Sequence, residues 1–118
     1  MSSTVPYSTS PKARPYLDAT ARHQPGAPKG NFGMTAFSTG LLLERMAAGF
    51  GPTVTTAAFL DAIFTLQGET VGGLFPPITF HREVPVSRSL CMVPLRFTGD
   101  KFVPLDGDRF VCPEEYTK

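Results

Sequence analysis

The apolar residues between Met34 and about Ala48 recur at helical spacing. Phe37, Leu41, Leu42, Leu43, Met46 and Ala47 make one broad face, with Ser38, Thr39, Glu44 and Arg45 as the polar remainder. Ala13, Tyr16, Leu17, Thr20 and Ala21 predict a shorter amphipathic helix before it, opened by Ser10-Pro11 and Arg14-Pro15, running to about His23 and stopped by Pro25-Gly26. Phe59, Ala62, Ile63 and Leu66, widened by Leu60 and Phe64, predict a third helix, with Thr53 and Thr55 as N-caps and Gly68 as its left-handed stop. Beyond it the period changes from about 3.6 to two. Ile78 to Phe80 reads as one short strand. Ser89 to Phe97 and Lys101 to Leu105 read as a hairpin around Thr98-Gly99-Asp100, which Arg109 to Cys112 extends after the Asp106-Gly107 turn.

The segments between these elements follow from their turn formers. Met1 to Ser10, rich in Ser, Thr and Pro, reads as an extended or frayed lead-in. Gln24 to Gly33, with two prolines and three glycines, reads as a loop. Gly40 inside the second helix costs up to about 1 kcal/mol against alanine, so its expected use is close approach to another backbone. Pro94 and Pro104 push the hairpin strands toward edge positions, because proline has no N–H for a ladder. The second and third helices both carry wide apolar faces, as helices laid on a sheet do. Yet few strands precede residue 78.

A chain of 118 residues fits one domain with one modest core. With 42% apolar residues, 18% charged residues and a net charge of +1, the composition is that of a globular protein and exerts no strong pull on polyanions. The 11 glycines and 12 prolines predict long loops between few elements. No apolar run reaches the roughly 18 residues of a membrane span. The first fifteen residues contain no apolar run of the kind a secretory signal needs.

Candidate chemistry is sparse. His23 and His81 have no partners at zinc-ligand spacing and read as surface residues. Asp106-Gly107-Asp108 lacks the remaining oxygen ligands of a calcium loop and reads as a polar turn. Gly72-Gly73 follows a helix instead of leading from a strand into one, so it is no phosphate cradle. Lys12, Arg14, Arg22 and Lys29 are too dispersed for a nucleic-acid arm, and no nucleophile elbow is present. The residues therefore point away from an enzyme and name no cofactor. Cys91 and Cys112 flank the hairpin: they could close a loop of about twenty residues in an oxidising compartment, or serve as packing residues.

Taken in order, Arg14-Pro15-Tyr16-Leu17-Asp18-Ala19, Gln24-Pro25-Gly26, Gly30-Asn31-Phe32, the Leu41 helix, Gly51-Pro52 with Thr55, Gln67 to Phe80, and Gly99-Asp100-Lys101-Phe102-Val103-Pro104 cover nearly the whole chain. In that order and spacing they resemble the last third of the type I periplasmic binding proteins, the branched-chain amino acid group of ABC-importer receptors. The stretch Gly68-Glu69-Thr70-Val71-Gly72-Gly73-Leu74 before Pro76-Pro77 looks closest to members with a cysteine pair around the final hairpin, which implies a Cys91–Cys112 disulfide.

The resemblance implies an α/β protein with a partial binding-protein fold: about three helices plus a C-terminal β-hairpin, lacking the main parallel sheets. Residues 1–30 would resemble a C-terminal-lobe helix, 31–80 the N-terminal-lobe helices and strand, and 81–118 the C-terminal hairpin. In some members an aromatic near the start of the second helix borders the ligand. Phe32 holds that place, with Met34 beside it, and hinge or core packing is the other role open to both. The implied function is solute binding for an ABC uptake system, with an amino-acid-like ligand, a membrane permease as partner and a periplasmic or extracellular address. The expectation is a truncated chain that associates with a complementary chain or with itself. The alternative is a small autonomous interaction or regulatory protein that reuses this segment.

Overall fold

A computed structural model describes residues 3–83 and 89–113, so the first two residues of the predicted lead-in and parts of the 81–118 segment lie outside the described residues. Among the described residues the chain forms three α-helices, α1 (Arg14–His23), α2 (Asn31–Ala47) and α3 (Thr56–Phe64), and one antiparallel two-stranded sheet, β1 (Leu95–Phe97) and β2 (Phe102–Pro104). The architecture is mixed α/β. None of these helices is long and apolar enough to cross a membrane.

A 3-10 turn, Pro11–Ala13, leads into α1 and is capped by Ser10, whose side chain accepts from the Lys12 N–H at 3.2 Å. Pro15 sits in the first turn of α1, where a missing N–H costs nothing. The second helix begins at Asn31, three residues ahead of the predicted Met34, with an extended Gly30 at its N-cap position and no side-chain cap. The third begins as its cap residue dictates: Thr55 accepts from the Ala58 N–H at 3.1 Å. It ends at Phe64, before Gly68. That glycine, at φ 60°, turns the chain after the helix has finished.

The predicted strand Ile78 to Phe80 is replaced by a single antiparallel bridge, in which Glu69 and Ile78 exchange backbone hydrogen bonds of 2.8 and 2.9 Å. Pro76 and Pro77 have no N–H to extend the ladder past that point. The hairpin forms with the register Leu95↔Pro104, Arg96↔Val103 and Phe97↔Phe102. Met92 and Val111 exchange two further backbone bonds beyond the Asp106 turn, so the last segment returns along the same strand.

The core cluster consists of Val5, Ala13, Tyr16, Met34 and Leu74, with Tyr7, Leu17, Phe37, Leu41 and Phe110 packed against it. Val5 corrects the reading of the lead-in as frayed. Its side chain is fully buried, and its N–H donates to the Leu74 carbonyl at 3.0 Å. One apolar residue between Thr4 and Pro6 leaves no periodic trace, although it supplies a central contact. The 1–30, 31–80 and 81–118 segments all contribute to this one cluster. The resemblance implied separate lobes for the first two helices, whereas here Tyr16 of α1 and Phe37 of α2 meet with ring centroids 5.8 Å apart.

The close approach expected at Gly40 falls on Gly33 instead, and it is made by a side chain and not by backbone. A Cβ on Gly33 would lie 2.5 Å from the Tyr16 hydroxyl oxygen, while Gly40 faces open space. Phe50 and Phe59 pack α3 against the end of α2, yet α3 has no fully buried residue. Leu43 of α2 and Leu60 of α3 are 45% and 42% exposed, so the apolar faces of these helices are only partly covered by the described residues, and Val54 in the loop between them is 56% exposed.

Candidate functional site

The two residues singled out for ligand contact do not share a surface. Phe32 is 94% exposed and Met34 is fully buried in the core cluster. Two positions apart on a helix place side chains about 200° from each other. Met34 is thus a packing residue against Tyr16 and its neighbours, and Phe32 stands out from the first turn of α2. The Ser38 hydroxyl, also buried, is satisfied by the Met34 carbonyl at 2.8 Å.

The stretch from Leu66 to Phe80 closes into a loop pinned at its base. The Gly68 N–H donates to the Thr79 hydroxyl at 2.9 Å, above the Glu69–Ile78 bridge, and the Phe80 N–H reaches the Leu66 carbonyl. Val71, Gly72 and Gly73 at its tip all have positive φ, of 51°, 72° and 82°. For a β-branched residue this conformation is costly. Val71 is held in it because its side chain is 1% exposed and its N–H donates to the Glu69 carboxylate at 2.5 Å. The Lys12 side chain lies across Gly73, close enough that a Cβ there would stand 3.2 Å from its Cδ and Cε.

Glu69 is the electrostatic centre of this loop. Its carboxylate pairs with the Arg45 guanidinium of α2. Burial alone would raise its pKa, but the Val71 N–H, the hydrogen bond and charge of Arg45, and the Thr70 N–H together hold it below the ordinary value. Arg45 ties α2 to the loop, as Arg82 ties the chain after Phe80 to Asp61 of α3 while lying 4.6 Å over the Phe64 ring.

At the C-terminal end Cys91 and Cys112 form a disulfide with Cα atoms 4.0 Å apart. They sit next to the hydrogen-bonded Met92–Val111 pair, at the position in an antiparallel ladder where Cα atoms come closest. Asp108 accepts a 2.6 Å hydrogen bond from the Ser10 hydroxyl. Asp106 pairs instead with Arg109, so the Asp106-Gly107-Asp108 stretch is a turn whose two carboxylates face different partners.

His23 and His81 are both exposed. Among the described residues no group of three His, Cys, Asp or Glu side chains is placed to hold a metal ion. Reading the sequence alone missed Arg45 with Glu69 and Ser10 with Asp108, because neither pair has a local spacing signal. Comparison of the chain with protein-family models, curated proteins and solved structures finds no match.

Proposed function

We infer that this chain is a non-enzymatic component of a solute-binding protein for an amino-acid-like ligand, working together with a complementary chain or a second copy. The observation that carries the reading is the partly uncovered helix layer: Leu43 of α2 and Leu60 of α3 stay roughly half exposed on helices whose apolar faces suit a sheet. The resemblance to the type I binding proteins supplies the kind of sheet. Phe32, outside the core, is the ligand-facing candidate, and Met34 is left to core packing on the opposite side of α2. A membrane permease of the ABC type is the implied docking partner. A periplasmic or extracellular address suits the Cys91–Cys112 disulfide, since such bonds persist in oxidising compartments.

The test is calorimetry against a panel of amino acids, run on fractions whose mass is fixed by size exclusion with light scattering. Binding heat in the assembled fraction, absent from the monomer and lost in Phe32→Ala, is the expected result. No heat in any fraction would overturn the solute-binding reading.

A second reading, a small autonomous interaction protein, is favoured by a different observation. Val5 bonded to Leu74, and Ser10 bonded to Asp108, draw distant parts of the chain onto one core of its own. A compact monomer at every concentration, silent toward amino acids, is what that reading predicts.

A further inference from the structure

The segment from Asp106 to Cys112 is held to the molecule very differently from the hairpin that precedes it. β2 is fixed by a continuous ladder on β1, closed by the Thr98 N–H on the Lys101 carbonyl at one end and the Leu105 N–H on the Pro94 carbonyl at the other. Past Leu105 the chain leaves that ladder at Asp106, with Gly107 in the left-handed region at φ 51°. It then regains the strand only at Met92–Val111, an isolated bridge of two backbone hydrogen bonds. Its other anchors are the Ser10–Asp108 hydrogen bond and the packing of Phe110 on the core cluster. The Arg109–Asp106 pair is internal to the segment and exposed, and contributes nothing to holding it down. The Cys91–Cys112 bond is the only covalent clasp across this gap.

What this arm covers gives the clasp a consequence. Phe110 packs against the cluster of Val5, Ala13, Tyr16, Met34 and Leu74, and Asp108 holds the hydroxyl of the buried Ser10, which also caps the turn leading into α1. Cys91 is 7% exposed and Cys112, on the arm, is only partly buried, so the arm residue is the more accessible side of the bond for an attacking thiolate.

We propose that the Cys91–Cys112 disulfide is a redox latch: its reduction releases the Asp106–Cys112 arm, lifts Phe110 from the N-terminal core and frees Ser10, while the helices and the β1–β2 ladder stay folded. The reductant is a dithiol. One of its thiolates attacks the disulfide to give a mixed disulfide and one cysteine thiolate. Its second thiolate then displaces the other cysteine, so the dithiol leaves as a disulfide and the protein gains two electrons and two protons as two thiols. Reoxidation restores the clasp. The inference is independent of solute binding, because it concerns the cover of the core and not the α2 and α3 faces.

The experiment is amide hydrogen exchange followed residue by residue, with dithiothreitol as the reductant and the Cys91→Ser/Cys112→Ser variant as a permanently unlatched form. In the reduced protein and in the variant, exchange at Met92, Val111 and Val5 is expected to rise at least tenfold, while Phe59 in α3 and Arg96 in β1 keep their protection, and reoxidation returns the first group to its starting rates. Unchanged exchange at Val111 with both thiols free would overturn the latch, as would a uniform rise across α2, α3 and β1, since the bond would then be a general staple. Asp108→Ala in the oxidised protein separates the clasp from the hydrogen bond: it is expected to leave Met92 and Val111 protected, and equal loosening by that variant would also count against the proposal.

Discussion

The Ser10 hydroxyl donates to the Asp108 carboxylate across 98 positions of sequence, at 2.6 Å, while the same oxygen accepts from the Lys12 N–H. One buried hydroxyl therefore both starts the turn into α1 and anchors the far end of the chain. Ser10→Ala removes both interactions and is expected to destabilise the protein by about 2 kcal/mol. Asp108→Ala removes only one and should cost about half as much. Thermal unfolding followed by circular dichroism checks the order. Equal effects of the two substitutions would mean that the cap adds nothing.

Tyr16 and Gly33 form a second long-range dependence. The hydroxyl lies where a Cβ on Gly33 would need to be, and it exchanges long hydrogen bonds with Gly30, donating to the carbonyl at 3.4 Å and accepting from the N–H at 3.3 Å. Gly33→Ala is expected to cost about 1–3 kcal/mol through displacement of the ring, despite alanine's better helix propensity. Tyr16→Phe, mild alone, should recover part of that loss in the double variant. The coupling comes from a double-mutant cycle in urea, and strict additivity would show that the two residues do not constrain each other.

Gly33 and Gly40 also mark how far sequence could be read into structure. The helical period placed all three helices, and of the two caps the sequence offered for α3, Thr53 and Thr55, the second is used, because local capping chemistry is written in adjacent residues. The same reasoning chose Gly40 for close approach when Gly33 has that role, since nothing local reports where the Tyr16 side chain comes to rest. Val5 escaped notice for a related reason: a single buried residue has no periodicity. Ile78 carried strand character, but the two prolines before it left room for one bridge only. At the candidate site Phe32 and Met34 were nearest neighbours in pattern and ended on opposite sides of α2, a separation that a resemblance alone does not convey.

Phe97 and Phe102 face each other across the hairpin, with ring centroids 5.1 Å apart, and each is 58% exposed. Such a cross-strand aromatic pair contributes roughly 0.5–1 kcal/mol. Replacing either ring with threonine keeps strand propensity and removes the pairing, so Phe97→Thr and Phe102→Thr are each expected to loosen the turn around Gly99. Amide exchange at Arg96 and Thr98 reads this directly. A change at Met92 as large as that at Thr98 would place the effect outside the hairpin tip.

Glu69 gives the chain a definite acid response. Its folded-state carboxyl titrates below the ordinary value of about 4.5, because the Val71 and Thr70 N–H groups and Arg45 outweigh the cost of burial. A carboxyl depressed in the folded state contributes stability that is fully present above its unfolded pKa and is lost as pH falls through its folded one. The urea midpoint of the native sequence should therefore hold near neutrality and decline below about pH 4.5. Glu69→Gln, which cannot ionise, is expected to be less stable at pH 7 and to show a shallower decline. Arg45→Met should make the decline shallower and end it at a higher pH, since the folded-state carboxyl loses its cationic partner, keeps the backbone donors and titrates closer to its unfolded value. Parallel pH profiles for the native protein and Glu69→Gln would show that the ionised carboxylate does not pin the Leu66–Phe80 loop to α2.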